Sequence, residues 1–105
     1  NLAMFSVTDY LTPTTLSLYD AASGKLDQLK VSPARFDASK HTIEQLEAVS
    51  KDGTRIPYFL VRPKTMKRDG STPTLLYGYG GFEVSQVPGY SGPMGALWLE
   101  QGNAY

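Results

Sequence analysis

Apolar and polar positions alternate along the first third of the chain. Residues 2–10 (Leu-Ala-Met-Phe-Ser-Val-Thr-Asp-Tyr) and 14–20 (Thr-Thr-Leu-Ser-Leu-Tyr-Asp) are rich in β-branched and aromatic residues, and Leu16 and Leu18 alternate with polar neighbours. That is the period of a β-strand. Leu11-Thr12-Pro13 supplies a turn between the two. Ala21-Ala22-Ser23-Gly24-Lys25 supplies another, leading into a third short strand near Lys25 to Lys30.

After this meander the pattern changes. Ser32-Pro33-Ala34-Arg35-Phe36-Asp37-Ala38-Ser39 has the composition of a connector, and a domain boundary is expected there, separating 1–35 from 36–105. Taken alone, 42–50 suits a short helix or a strand. Asp52-Gly53 decides between them, because it is a strong hairpin turn signal and the run from Arg55 to Arg62 beyond it is strongly β, with Ile56, Tyr58 and Leu60 on one face. A hairpin needs two strands, so 42–50 is read as the first. Pro57 removes one ladder donor, which suits a strand near a sheet edge.

Pro63 to Pro73 is a polar loop, and Thr74 to Tyr77 re-enters as a short apolar run, predicted to be a central strand. It breaks into Gly78-Tyr79-Gly80-Gly81-Phe82. Glycines there permit positive φ and close approach of other atoms, which serves a binding loop or an ordinary aromatic-glycine turn. Residues 83–92 are irregular. Ser91-Gly92-Pro93 then offers an N-cap and a first-turn proline, and Met94, Leu97, Trp98 and Gln101 have helical spacing, predicting a helix over about 93–101 with Trp98 packed in the core. A tight-turned antiparallel meander with an aromatic-Asp pair, Tyr19-Asp20, suits a propeller blade or any other small meander.

Composition narrows the function. Ten Lys plus Arg balance ten Asp plus Glu, so no basic face for nucleic acid is implied, and the Lys64 to Arg68 cluster reads as a solvated loop. No apolar run reaches the roughly 20 residues that cross a bilayer. The absence of cysteine excludes disulfides and thiolate metal sites and fits a reducing compartment; one histidine, His41, excludes a multi-histidine metal site. No metal or other cofactor, no nucleic acid and no membrane is therefore expected. The sequence begins at Asn1 and ends at Tyr105, where an apolar strand is expected to start, and it reads as a piece of a longer chain.

Known catalytic motifs are incomplete. A dinucleotide fingerprint needs glycine at 83, where Glu83 stands, and the P-loop ending is missing. Gly89-Tyr90-Ser91-Gly92-Pro93 comes near the nucleophile elbow Gly-x-Ser-x-Gly, but ends in proline and follows no strand, so Ser91 is not read as a nucleophile. His41 is read as a surface histidine at the mouth of the hairpin.

Ser50-Lys51-Asp52-Gly53-Thr54-Arg55-Ile56-Pro57-Tyr58-Phe59, followed by Leu76-Tyr77-Gly78-Tyr79-Gly80-Gly81-Phe82, resembles the prolyl oligopeptidase family of serine peptidases. The Phe36-Asp37-Ala38-Ser39 connector and Gly70-x-x-Pro73 are similar too. The likeness is strong over 36–105 and weak over 1–35. It implies an α/β fold in which 1–35 form the last strands of a β-propeller blade and 36–105 the first strands and first helix of an α/β-hydrolase (peptidase S9) domain. By the same resemblance, Tyr79 is the catalytic oxyanion-hole donor and Phe82 lines the pocket for the substrate proline ring. Tyr77 is expected to pack inside. A phenolic hydroxyl is a hydrogen-bond donor, and one positioned donor can contribute roughly 3–4 kcal/mol in a transition state. The family's serine, aspartate and histidine match nothing in these residues. The expectation is therefore a part of a post-proline serine endopeptidase, inactive alone, whose partners are a proline-containing peptide and the rest of the parent chain, located in the cytoplasm or alternatively the periplasm. The competing reading is a non-enzymatic β-rich interaction module.

Overall fold

The computed structural model describes all 105 residues, Asn1 to Tyr105. Strands β1 (Leu2–Val7), β2 (Thr15–Asp20) and β3 (Lys25–Val31) form an antiparallel sheet in the order β1-β2-β3, and β4 (His41–Val49) pairs antiparallel with β5 (Arg55–Pro63) in a separate hairpin. A short helix α1 (Gly92–Leu97) runs into a 3-10 turn over Leu99–Gln101. No helix is long and apolar enough to cross a membrane.

Aspartates set the turns of the first sheet. Asp9 Oδ1 accepts the Leu11 and Thr12 amides at 2.8 and 2.7 Å, so the turn after β1 is an Asx turn as well as a proline turn. Asp20 accepts from the Ala22 amide and the Ser23 hydroxyl, which together hold its carboxyl below the usual range; the hydroxyl is the larger cause. Gly24, at φ +69°, closes that turn. Pairing shifts between Leu16 and Ser17, which face Lys30 and Gln28, so Leu29 bulges out of β3.

In the hairpin, Gly53 takes φ +85° and Asp52 Oδ1 accepts the Thr54 amide at 3.0 Å. The register pairs His41 with Pro63, Ile43 with Val61 and Glu44 with Leu60. One face thus carries His41, Ile43, Val61 and Pro63, and this face is covered; Ile56 and Tyr58, on the other face, stay exposed. Both faces of β5 are apolar, so alternation alone did not choose between them. Glu44 receives a two-pronged grip from Arg62 (3.0 and 2.7 Å) and a third bond from Arg68 (2.9 Å).

The core is small: Phe36, Val61 and Leu99, with Tyr10, Ile43, Tyr90 and Trp98 packed against it. Phe36 and Tyr90 stack at 5.2 Å, Tyr90 Oη accepts the Arg35 amide at 2.7 Å, and Glu100 Oε1 accepts the Asp37 amide at 2.6 Å. The connector is thereby fastened on both sides of Phe36. Trp98 is half-buried, and its indole N–H donates to the Ala104 carbonyl at 2.8 Å. Ser91 caps α1 by accepting the Met94 amide at 3.3 Å, and the helix ends earlier than predicted, at Leu97, because Trp98 leaves helical geometry.

The expected central strand at 74–77 forms only a single parallel bridge, Thr74 to Ala104. The Leu75 amide donates to Ala104 O at 3.0 Å and the Ala104 amide to Pro73 O at 2.9 Å, while Tyr105 exchanges both backbone bonds with Val61 at 2.7 and 2.8 Å. Ala104 and Tyr105 therefore lie between β5 and 73–75. Beyond Leu75 the segment has no ladder partner in this chain, which is why it is not a strand here. Tyr10 joins the first sheet to this region, its ring 5.8 Å from those of Phe59 and Tyr105. Burial pushes the Tyr10 hydroxyl pKa up, and Tyr105 adds to the shift.

Candidate functional site

The glycine loop leaves the Thr74 bridge as an extended segment. Gly80 turns it at φ +74°, and the Val84 amide then donates to the Gly81 carbonyl at 3.1 Å, closing a four-residue turn. Its two central residues, Phe82 and Glu83, take φ +52° and +53°. Such a turn favours Gly, Asn or Asp, and a bulky L-residue in that region is costly, about 1–2 kcal/mol. Backbone strain of this kind collects at functional sites.

This turn projects Phe82, 93% exposed, into solvent, and Tyr79 is 54% exposed. The two residues singled out from the sequence thus sit on one loop. Tyr77 does not pack inside as expected but is 58% exposed, since the ladder that would cover it stops at Leu75. Leu76, Tyr77 and Val87 instead line an open apolar groove with Tyr10, Tyr58 and Tyr105.

Neither of the other candidate groups joins this loop. Ser91 Oγ is occupied as the helix cap. His41 is buried, not on the surface: the register sets it opposite Pro63 on the covered face of the hairpin, and neither ring nitrogen has a protein partner. Sequence reasoning passed over the surroundings of His41, which nothing in the local pattern announced.

No protein-family model matches the sequence. Individual relatives do. An uncharacterised peptidase of Sinorhizobium fredii is 51% identical over 91% of the chain, and a prolyl endopeptidase of Elizabethkingia miricola is 38% identical over 96%. A structure solved in a study of two prolyl endopeptidases superimposes with a TM-score of 0.82 at 35% identity, covering 99% of this chain and 15% of that one. The chain belongs to the prolyl oligopeptidase family. It spans 13–14% of the length of the two relatives named. Within the prolyl oligopeptidase family, the β-rich architecture of five strands and one short helix is that of the matching part of its solved members, and the relatives' names make a peptidase function the common denominator.

Proposed function

We propose that this chain is part of a serine peptidase that cleaves peptides after proline, and that it supplies the oxyanion donor Tyr79 and the proline-pocket residue Phe82. Residues 1–35 would end a β-propeller and 36–105 open an α/β-hydrolase domain. The observation that carries the reading is the shared loop: Tyr79 and Phe82 are both exposed on one glycine turn that holds two non-glycine residues at positive φ. Pre-set donors act on charge that develops only in the transition state, and in α/β-hydrolases the loop after the third strand contributes to that site. An apolar ring three residues on offers a face for a proline ring.

The nucleophile, its base and the orienting acid are contributed by other parts of the enzyme, so these 105 residues alone should turn over no proline-containing reporter peptide. Turnover abolished by Ser91→Ala would overturn that. In the full-length enzyme, Tyr79→Phe keeps the ring and removes the hydroxyl. The loss should fall on kcat, by roughly 100-fold, with KM little changed. Tyr77→Phe serves as the control. An unchanged kcat in Tyr79→Phe removes the oxyanion assignment.

A further inference from the structure

The glycine loop is slung between two anchors. From Leu76 to Gly89 its only backbone hydrogen bond is the one from Val84 to Gly81 that it makes with itself. Downstream it is held at Tyr90, whose ring stacks on Phe36 and whose hydroxyl accepts the Arg35 amide. Upstream it is held at Leu75, whose amide donates to the Ala104 carbonyl at 3.0 Å. Tyr79 stands four residues beyond the upstream anchor and eleven before the downstream one, so the upstream anchor has the greater hold on its side chain.

That upstream anchor is a shared acceptor. The Ala104 carbonyl also receives the Trp98 indole N–H, at 2.8 Å, so both of its lone pairs are engaged and two donors from different segments fix its direction. The local chain is shaped to bring the ring there. Trp98 leaves helical geometry at φ −123° and ψ −58°, and Gly102, at φ +84°, turns the chain back after the 3-10 turn, which sets the Ala104 carbonyl within reach of the indole. Ala104 is fully buried and Trp98 half-buried. Phenylalanine at 98 would keep most of this packing and remove the N–H. The carbonyl would retain the Leu75 amide, so no buried acceptor would be left without a partner, and what is lost is orientation more than stability.

We infer that Trp98 is a positioning residue for the proposed transition-state donor: its indole N–H fixes the Ala104 carbonyl, the carbonyl fixes Leu75, and Leu75 starts the segment that aims the Tyr79 hydroxyl. The inference rests on the role proposed for Tyr79. A misplacement of about 1 Å introduced from outside a site can cost about 100-fold in rate, and a donor to developing charge is useful only where that charge appears. In the full-length enzyme, Trp98→Phe should lower kcat about tenfold on a proline reporter peptide, with KM within about twofold. Tyr90→Phe removes the hydrogen bond of the far anchor and is the control for general loosening; it should leave kcat within about twofold. In a Tyr79→Phe background, Trp98→Phe should cost less than about twofold more, because the hydroxyl it positions is already gone. Where Trp98→Phe does not fold, 3-benzothienylalanine at position 98, which has the shape of tryptophan with sulfur in place of the N–H, takes its place in the same comparisons. An unchanged kcat in Tyr79→Phe removes the oxyanion assignment and this inference with it. If Tyr79→Phe does lower kcat, then an unchanged kcat in Trp98→Phe, losses that multiply in the double variant, or an equal loss in Tyr90→Phe overturns the role of Trp98 alone.

Discussion

The ring of Phe36 lies against the backbone of Gly95, so closely that a Cβ on residue 95 would stand 1.9 Å from the ring's Cδ1. Gly95 is therefore the contact by which α1 seats on the connector, and the helix that follows the glycine loop takes its position from a residue nearly 60 positions earlier.

Gly95→Ala should be destabilising although alanine favours helix. Helix propensity gains about 1 kcal/mol, whereas forcing a methyl into an occupied core typically costs about 1–3 kcal/mol, and here the obstacle is a ring boxed in by Tyr90. The midpoint of urea unfolding should fall, and Phe36→Leu in the same chain should recover part of the loss. A midpoint raised by Gly95→Ala would mean that helix and connector are not in this contact.

The hairpin's charge cluster gives a pH-dependent prediction. The Arg62 guanidinium, hydrogen-bonded to Glu44, is the main cause that holds the Glu44 carboxyl below the ordinary glutamate value, with Arg68 adding to it. A depressed folded-state pKa means that the contribution is complete above the unfolded value, about 4.3, and is lost as pH falls through the folded one. Glu44→Gln should thus lower the melting temperature at pH 7, and the gap between variant and wild type should close on acidification below pH 4. A gap that is constant across this range would show that packing, not charge, is what Gln disturbs.

Much of this architecture was legible because turns and strands are specified locally. Asp52-Gly53 and Ala21 to Lys25 marked two turns within a residue or so, and the strands they join followed from alternation. What failed was non-local. Thr74 to Tyr77 has the sequence of a strand, but a strand is defined by its neighbours, and Leu75 finds only Ala104. His41 looked like a turn-proximal surface residue until the register placed it beside Ile43 and Val61 on the covered face. For the loop, the glycines announced a special backbone, yet the positive φ values also fell on Phe82 and Glu83, which no propensity would have chosen.

That turn allows function and stability to be pulled apart. Phe82 and Glu83 occupy equivalent left-handed positions, so replacing either by glycine removes a comparable backbone penalty, on the order of 1 kcal/mol, offset in part by the greater freedom glycine gives the unfolded chain. Neither change should lower the melting temperature of these 105 residues by more than a degree or two, because Phe82 is 93% exposed in them and has almost no packing to lose. Their effects on turnover should diverge. Phe82→Gly deletes the apolar surface assigned to the substrate proline ring; losing about 60–100 Å² of buried contact corresponds to roughly 1.5–2.5 kcal/mol, or about 10- to 70-fold in kcat/KM for a proline substrate. Glu83→Gly changes the same turn without touching that surface and should leave kcat/KM within about threefold. Steady-state kinetics on one proline reporter peptide, run beside thermal melts of both variants, separates the cases. Equal losses in the two variants would show that the turn's conformation matters and the Phe82 ring does not, and the proline-pocket assignment would then be withdrawn.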